Sequence, residues 1–315
     1  MSKILVTGGA GFIGSHVVDA FVDAGHQVTV VDDLSSGSED NLNPKAKFYE
    51  LDIRSAQLAD VFEDEKPEIV AHFASQIDVR RSVTDPIFDA DVNVRGSLNL
   101  LEMCVAANVK KFIFASTGGA IYGSPEKLPA DESCTPLPES QYGTSKLCVE
   151  NYIGLYSRMY KLPATILRFP NVYGPRQSPH GEAGVCSILA GLMLEDKAPT
   201  LYGQGTMLRD YVYVGDIARG CMLALKKGTG ATINLGSGKA ASVKDLYDII
   251  RGITGFSGKP VLKDKRPGEV EKIFITGARA AEVLGWKPEV SLKDGLTKTI
   301  EYIRKQHEAK KAEQE

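Results

Sequence analysis

The stretch Thr7-Gly8-Gly9-Ala10-Gly11-Phe12-Ile13-Gly14 decides how the beginning of the chain folds. It follows the apolar run Ile4–Thr7 and opens an amphipathic pattern over Phe12–Ala24, which predicts a strand, a tight turn and a helix. Gly8 permits the turn, Gly11 lets a ligand approach the backbone, and Gly14 lets helix and strand pack closely. The N–H groups at such a helix start point at an anion. Because a glycine turn can also be purely structural, the motif alone is weak evidence for a ligand site.

The next two strands add a carboxylate each at their ends. The second strand, Gln27–Val31, is followed by Asp32, eighteen residues after Gly14. A carboxylate there accepts from the ribose hydroxyls of an adenosine and repels a 2′-phosphate, which favours NAD over NADP. The third strand ends in Leu51-Asp52-Ile53, where an acid and an apolar residue are placed to flank adenine. This order of elements predicts an NAD site in an α/β domain.

Short β-branched runs alternate with helical patterns through the first half of the chain. The predicted strands are Ile4–Thr7, Val28–Asp32, Lys47–Leu51, Ile69–Phe73, Phe112–Ser116 and Ala164–Phe169, and the predicted helices include Ala56–Phe62, Ile87–Ala107 and Tyr142–Tyr160. The alternation predicts a Rossmann-type doubly wound parallel sheet, with a smaller mixed α/β C-terminal substrate lobe. Later predicted elements are strands at 210–214 and 232–235 and helices at 185–194, 243–254 and 292–304. We expect an NAD-binding domain over 1–170, with segments around 210–240 returning to it, and a substrate lobe mainly over 171–315.

Composition narrows the class of protein. The 315 residues carry 37 Lys+Arg against 40 Asp+Glu, a net charge of −3, and 43% are hydrophobic, as in ordinary globular proteins. The absence of a basic block argues against nucleic acid as a partner, and no apolar stretch approaches the length of a membrane-spanning helix. Five scattered cysteines without a Cys-x-x-Cys pair predict reduced thiols in the cytoplasm and no metal site.

A second motif, Tyr142-Gly143-Thr144-Ser145-Lys146, predicts the chemistry. Tyr142 and Lys146 stand one helical turn apart on one face. A tyrosine is a poor base at its ordinary pKa of about 10, but an ammonium nearby and a positively charged nicotinamide stabilise its phenolate. The strand before it runs into Ser116-Thr117, which brings hydroxyls to the carboxyl end of the sheet, where ligands of such folds bind. An amphipathic helix that merely carries Tyr and Lys is the alternative.

Together these motifs resemble the extended short-chain dehydrogenase/reductase family. Further likeness to its nucleotide-sugar epimerase branch lies in three later segments: Leu167–Arg176 (LRFPNVYGPR), Arg209–Asp216 (RDYVYVGD) and Asn234–Gly238 (NLGSG). His72–Ser75 and Asn93–Gly96 resemble the same family. The likeness runs from Ile4 to about Tyr302.

The resemblance implies roles for individual residues. NAD-holding positions are Gly8, Gly11, Phe12, Ile13, Gly14, Asp32, Asp52, Ile53, Phe73, Ala74, Ser75 and Asn93, with Ser35, Ser36 and Gly37 near the adenosine and Lys146 on the nicotinamide ribose. Tyr142 and Thr117 match the catalytic base and hydroxyl, and Ser116 is an alternative or additional hydroxyl. Substrate positions, besides Thr117 and Tyr142, are Asn171, Gly184, Val185, Tyr202, Arg209 and Arg266. The alternatives are packing for Tyr202, a surface ion pair with Asp210 or Asp216 for Arg209, and a solvated loop for Arg266.

The activity implied by the resemblance is inversion of carbon 4 of a UDP-hexose, most closely UDP-glucose and UDP-galactose, through a transient 4-keto sugar with tightly bound NAD. Other UDP-sugars, with an N-acetyl group or a uronic acid, are alternatives. A 4,6-dehydratase is disfavoured because Gly118-Gly119-Ala120 carries no carboxylate. A non-catalytic NAD-sensing protein on the same fold is disfavoured because Tyr142 and Lys146 are both present. The family also implies a homodimer formed by the helices at 87–107 and 142–160.

Overall fold

A parallel sheet of seven strands forms the centre of the computed structural model, which describes residues 1–178, 184–265 and 270–312, the last three as backbone only. With numbering in chain order, its strands are β1 (Lys3–Thr7), β2 (Gln27–Asp32), β3 (Lys47–Glu50), β4 (Ile69–His72), β5 (Lys111–Thr117), β6 (Ala164–Phe169) and β11 (Thr232–Asn234). They lie in the order β11-β6-β5-β4-β1-β2-β3. The order reverses between β1 and β4, and crevices at such reversals bind ligands in this class of fold.

Helices cover both faces of the sheet. One face carries α1 (Phe12–Asp23), α8 (Val214–Ala224) and α10 (Ala278–Val283), and the other carries α2 (Leu58–Glu65), α5 (Gly96–Ala106) and α6 (Gln141–Met159). Strand β1 shows why: Ile4 and Val6 pack into the first core, whereas Leu5 packs into the second. The predicted doubly wound sheet is confirmed.

The predicted helix Ile87–Ala107 is instead a succession of pieces. Asp85 caps α4 (Pro86–Ala90) by accepting from the N–H of Phe88, and Pro86 takes the first helical position. A π-helical segment over Asp91–Arg95 then leads into α5. The sequence analysis also missed the short helix α3 (Val79–Thr84) just before it. Such π-segments cluster at functional sites, and this one carries Asn93.

A smaller mixed α/β lobe lies after β6. Its helices are α7 (Val185–Leu194), α9 (Val243–Thr254) and α11 (Leu292–Ala312), which share a core with Tyr173 and Leu201. Its short strands form parallel pairs β7 (Asn171–Tyr173) with β10 (Tyr211–Tyr213) and β8 (Thr200–Tyr202) with β13 (Val261–Lys263), and a mixed sheet of β12 (Ala241–Ser242), β9 (Leu208–Arg209) and β14 (Lys272–Ile273). The predicted lobe is confirmed as a fold class, while the boundary near residue 170 stays a prediction.

One boundary within the lobe was wrong. The predicted strand 210–214 is β10 alone, because Val214 already begins α8, a helix that the sequence analysis missed. Helix α8 packs on α1 and so belongs to the large sheet rather than to the lobe. No helix within the described ranges is long and apolar enough to cross a membrane.

Candidate active site

The glycine turn between β1 and α1 has the shape of an anion cradle. Gly8 has φ +72°, and a Cβ there would lie 2.5 Å from the backbone N of Ala74. A Cβ on Gly14 would lie 2.0 Å from the carbonyl O of Gly8, so helix and turn meet backbone to backbone. At Gly11 the Gly8 carbonyl, 3.3 Å away, is the one described atom that a Cβ would meet. With no side-chain cap from the described part of the chain, the N–H groups of the first turn, at Phe12 and Ile13, have the placement that suits an anion.

Asp32 lies at the end of β2 against this turn. Its Oδ2 accepts from the N–H of Ala10 and its Oδ1 from the N–H of Leu34, both at 2.9 Å. Burial raises the pKa of the carboxyl, and the two backbone hydrogen bonds oppose that shift. The neighbouring predicted residues Ser35 and Ser36 are exposed, and a Cβ on Gly37 would lie 3.0 Å from Oδ1. The backbone therefore fixes the carboxylate at the end of β2, the position at which such folds place the acid that binds a ribose.

The predicted adenine end has a feature that the sequence analysis missed. Asp52 accepts from the N–H and Nε of Arg54, at 2.8 and 2.9 Å, and Nη1 of Arg54 donates to Asp91 at 2.6 Å. The Arg54 guanidinium lowers the pKa of Asp52. Ile53 is buried, and a Cβ on Gly96 would lie 2.7 Å from its Cδ1. Asp52 is therefore one member of an ion-pair cluster with Arg54 and Asp91.

The segment after β4 places three more predicted NAD residues along the turn, Phe73, Ala74 and Ser75, and the π-helical segment adds Asn93. Phe73 stacks on Phe169 with ring centroids 6.3 Å apart, and the N–H of Ala74 donates to the carbonyl of Thr7 at 3.1 Å. Ser75 Oγ donates to Oδ1 of Asn93 at 2.8 Å. The loop and the π-helical segment are thus joined at the edge of the turn.

Tyr142, Lys146 and Thr117 come together at the carboxyl end of β5. Burial, and after it the charge of Asp89, raise the pKa of the Tyr142 phenol above its ordinary value, and the neighbouring Thr117 hydroxyl opposes that shift. Lys146 is 4% exposed; its Nζ donates to the carbonyl of Ala115 at 3.1 Å and lies 5.9 Å from the Tyr142 ring centroid. Burial lowers the pKa of Lys146 to about 8, against the charges of Asp89 and Glu150. The ammonium is close enough to stabilise a Tyr142 phenolate by its charge.

The hydroxyl of Ser116 points elsewhere. Successive residues of a strand face opposite sides, and Ser116 Oγ donates to Oε1 of Glu150 at 2.5 Å. Glu150 in turn forms a buried ion pair with Arg168, with Nη2 and Oε2 2.6 Å apart. Of the two predicted hydroxyls, Thr117 lies beside Tyr142. Ser116 instead joins the buried network of Glu150 and Arg168. Glu150 lies one turn after Lys146, which is the signal by which the sequence could have revealed it.

The predicted substrate residues lie on the lobe side. A Cβ on Gly119 would lie 3.5 Å from Oδ1 of Asn171 and 3.9 Å from Oγ1 of Thr117, so both side chains approach Gly119. Gly184 caps α7, of which Val185 is the first residue, and the half-buried Tyr202 ends β8. Arg266 lies outside the described residues.

The Arg209 guanidinium is held by backbone carbonyls. It donates to Leu208 at 2.9 Å, to Val270 at 2.6 Å and to Glu271 at 3.3 Å. The two carboxylates considered as its partners have other donors: Asp210 accepts from the N–H of Ser237 at 2.8 Å, and Asp216 pairs with Arg219 at 3.1 Å. Arg209 is thereby oriented on the strand between β12 and β14.

A glycine-turn Rossmann sheet with a tyrosine and a lysine at the carboxyl ends of its strands defines a nicotinamide-dinucleotide enzyme of the short-chain dehydrogenase/reductase class. Residues 4–236 match the profile of one family of that class, described as the NAD dependent epimerase/dehydratase family. The chain belongs to this family, and NAD is its cofactor.

Similar proteins point the same way. The UDP-glucose 4-epimerase of Mycolicibacterium smegmatis is 40% identical over 96% of this chain and 98% of its own. The crystal structure of UDP-glucose 4-epimerase with UDP-glucose from Thermotoga maritima is 47% identical, with TM-score 0.95 over 97% of this chain and 99% of that one. The Thermus thermophilus UDP-glucose 4-epimerase complex with NAD is 39% identical, with TM-score 0.91 over 96% and 99%. The predictions of the family, of NAD and of an epimerase are confirmed.

Other solved relatives carry different sugars in their names. The UDP-N-acetylglucosamine 4-epimerase of Methanobrevibacter ruminantium is 32% identical, with TM-score 0.92 over 97% of this chain and 99% of that one. The UDP-glucuronic acid 4-epimerase of Bacillus cereus is 33% identical, with TM-score 0.89 over 96% and 99%. Family and fold are therefore shared by epimerases of several UDP-sugars.

Proposed function

We propose that the chain is a UDP-glucose/UDP-galactose 4-epimerase. The observation that carries the proposal is that Tyr142 lies beside the buried Lys146, whose Nζ is 5.9 Å from the tyrosine ring centroid, and beside Thr117, the last residue of β5. A potential base and a hydroxyl can therefore hydrogen-bond the same reacting oxygen. The glycine turn lies at the same edge of the sheet. The similarity to UDP-glucose 4-epimerases over nearly the whole chain supports the substrate.

The residues of the chain divide the reaction among themselves. Bound NAD supplies a hydride acceptor and donor at carbon 4 of the sugar. Tyr142, as phenolate, takes the proton of the 4-hydroxyl while Thr117 hydrogen-bonds the same oxygen. The Lys146 ammonium stabilises the phenolate. Once the oxidised sugar has turned about its link to the diphosphate, Tyr142 returns the proton on the other face, and the residues end the cycle as they began it.

The diphosphate is proposed to lie on the lobe side, against Arg209. The carbonyls of Leu208, Val270 and Glu271 hold this guanidinium in one orientation, which favours the planar recognition of phosphate oxygens. Asn171, the start of α7 at Gly184–Val185, Tyr202 and Arg266 are proposed to complete the UDP site. Anchoring through the diphosphate lets the oxidised sugar turn without leaving.

A plain hexose is favoured by the bulky residues Ile273 and Phe274, one of which lies near the position in question. In the family, a position here helps to set the size of the group accepted at carbon 2 of the sugar, and a bulky residue favours glucose and galactose over their N-acetyl forms. Ile273 is 2% exposed and packs with Ile121, Tyr122 and Ala130. A branched side chain fixed in such a cluster is poorly placed to yield space to an N-acetyl group.

A homodimer is proposed through the helical segments 87–107 and 142–160, the second of which is the helix that carries Tyr142 and Lys146. Leu155, Met159 and Tyr160, at the end of α6, are 39%, 65% and 53% exposed, and Ile87 in α4 is 81% exposed. Large apolar side chains gathered on adjacent helices are typical of contact surfaces. Sedimentation should give twice the mass of 34.1 kDa at micromolar concentration, and a monomer would contradict this contact.

A cytoplasmic location is proposed from the cysteines. Cys104, Cys134, Cys148, Cys186 and Cys221 are all free thiols. Unpaired thiols persist where the surroundings are reducing.

The test is to give NAD-loaded protein UDP-galactose and to follow UDP-glucose by NMR, with UDP-N-acetylgalactosamine and UDP-galacturonic acid in parallel. We expect UDP-glucose from the first sugar and slower conversion of the other two. Tyr142→Phe should lower kcat by about 100-fold to 10,000-fold while retaining NAD, because it removes the base and leaves the cofactor side intact. A correctly folded, NAD-loaded protein that converts none of the sugars, or that makes a stable 4-keto-6-deoxy product, would contradict the proposal.

A further inference from the structure

Asp89 is a carboxylate buried beside the active site, and the proposed mechanism leaves it without a role. It lies in α4 and is 0% exposed. Its Oδ1 accepts from Nε2 of Gln76 at 2.9 Å and from Nδ2 of Asn93 at 3.0 Å, and its Oδ2 accepts from Oγ of Ser145 at 2.6 Å. Burial of a charged carboxylate is tolerated only when its oxygens are satisfied, as both are here.

The three donors come from three separate segments of the chain. Gln76 follows Ser75 in the loop after β4, Asn93 lies in the π-helical segment, and Ser145 precedes Lys146 on α6. Asn93 also binds the first of these segments, since its Oδ1 accepts from Ser75 Oγ at 2.8 Å and from the Gln76 N–H at 2.9 Å. Asp89 thus joins the catalytic helix to the two segments assigned to NAD.

The charge of Asp89 differs from the other charges around Tyr142 and Lys146. The other titratable groups around these two residues are Glu150 from α6, Arg168 from β6 and His72 from β4. Glu150 is compensated by its ion pair with Arg168, with side chains only 6% and 7% exposed. His72 is neutral because burial, with the charge of Lys146, lowers its pKa to about 3. The hydrogen-bond donors on Asp89, by contrast, are an amide from each of two residues and a hydroxyl.

On the basis of the proposed function, we propose that Asp89 is a positioning residue: it fixes α6 against the NAD-binding segments and supplies the negative charge that faces the Lys146 ammonium. The two effects of the charge oppose each other. It raises the pKa of Lys146, which keeps the ammonium in a buried site, and it raises the pKa of Tyr142, which disfavours the phenolate. Removing it should therefore lower both pKa values, and with them both limbs of the pH profile of kcat.

Asp89→Asn tests the charge with little change of shape. The amide oxygen can still accept from Gln76 and Asn93, and the amide nitrogen can donate to Ser145. In NAD-loaded protein, the Tyr142 titration is read from tyrosinate absorbance as the difference from Tyr142→Phe, with no sugar present. We expect the Tyr142 titration, with the acid limb of kcat that it sets, and the alkaline limb set by Lys146 to move down by about one pH unit in Asp89→Asn. Asp91→Asn, which removes a carboxylate two residues further along that pairs with Arg54 and Arg95, should move neither.

Ser145→Ala tests the hydrogen bond between α6 and Asp89 separately from the charge of Asp89. It removes the hydrogen bond to α6 and keeps the carboxylate, so kcat should fall about tenfold with the limbs in place. An unmoved tyrosinate titration in Asp89→Asn, or an equal shift in Asp91→Asn, would overturn the role of the charge, and an unchanged kcat in Ser145→Ala would overturn the role of the link. If Asp89→Asn does not fold, Ser145→Ala still decides the second point. Because the titration needs no sugar, it can fail while epimerisation is intact, and the reverse also holds.

Discussion

The proposed cofactor side and the proposed sugar side of the active site are built in different ways. On the cofactor side, backbone makes the shape: Gly8 and Gly14 meet at a distance that excludes any Cβ, and Asp32 is fixed by two N–H groups. On the sugar side, side chains from distant segments make it: Arg209 is oriented by carbonyls about sixty residues later in the chain, at Val270 and Glu271. Where the backbone makes the site, almost any substitution of a glycine disrupts it, but few specific side chains are needed. Where side chains make the site, a substitution can remove one contact and leave the others.

The largest effect should follow from Gly14→Ala. Its Cβ would lie 2.0 Å from the Gly8 carbonyl, and neither backbone can yield without breaking the turn. We expect NAD retention to be lost and the free energy of unfolding to fall by at least about 3 kcal/mol. Thermal unfolding and the nucleotide content of purified protein measure both.

Gly252→Ala is the matched control on a second helix, α9. A Cβ there meets no described atom within 4 Å, so the variant should keep NAD and gain about 0.5 kcal/mol. Retention of NAD by Gly14→Ala would break the comparison on the cofactor side.

The next effect separates the two hydroxyls at the end of β5. Thr117→Val keeps the shape and removes the hydroxyl beside Tyr142 that is proposed to hold the reacting oxygen, so kcat should fall about 100-fold with NAD retained. Ser116→Ala removes a hydrogen bond to Glu150 instead, so it should change kcat by no more than about threefold and cost about 1 kcal/mol of stability. Steady-state kinetics with UDP-galactose decide, and a larger loss of kcat in Ser116→Ala would reverse the assignment.

The smallest effect should come from the sugar side, with Arg209→Lys. Lysine keeps the charge but loses the planar fork that the three carbonyls orient, so KM for UDP-galactose should rise about tenfold with kcat and NAD retention nearly unchanged. Arg219→Lys, on an arginine that pairs with Asp216 and Glu289, should leave KM as it is. Equal values of KM for the two variants would remove Arg209 from the substrate site.

The same contrast explains what could be predicted from the sequence. The glycine turn, the large sheet and the Tyr142–Lys146 pair follow from local periodicity and spacing, which do not depend on the rest of the fold. Strands of two or three residues, such as β9 and β14, are too short for any periodic pattern. Their pairing decides the partners of Arg209, so those partners could not be predicted.

Three features of the centre of the site were also out of reach for physical reasons. Whether Ser116 or Thr117 faces Tyr142 depends on the phase of β5, which one residue reverses. The π-helical segment Asp91–Arg95 interrupts an apolar pattern that predicts one continuous helix. Asp89 has a visible signal, since it stands four residues before Asn93, but its partners Gln76 and Ser145 are known only from the tertiary structure.

The central claim is that Tyr142 and Thr117 handle the proton at the 4-hydroxyl while the hydrogen of carbon 4 leaves and returns as hydride. UDP-galactose deuterated at carbon 4, given to NAD-loaded protein in ordinary water, tests it directly by NMR. The account predicts UDP-glucose that keeps the deuterium at carbon 4. Product with protium at carbon 4 would show exchange with water and would contradict it.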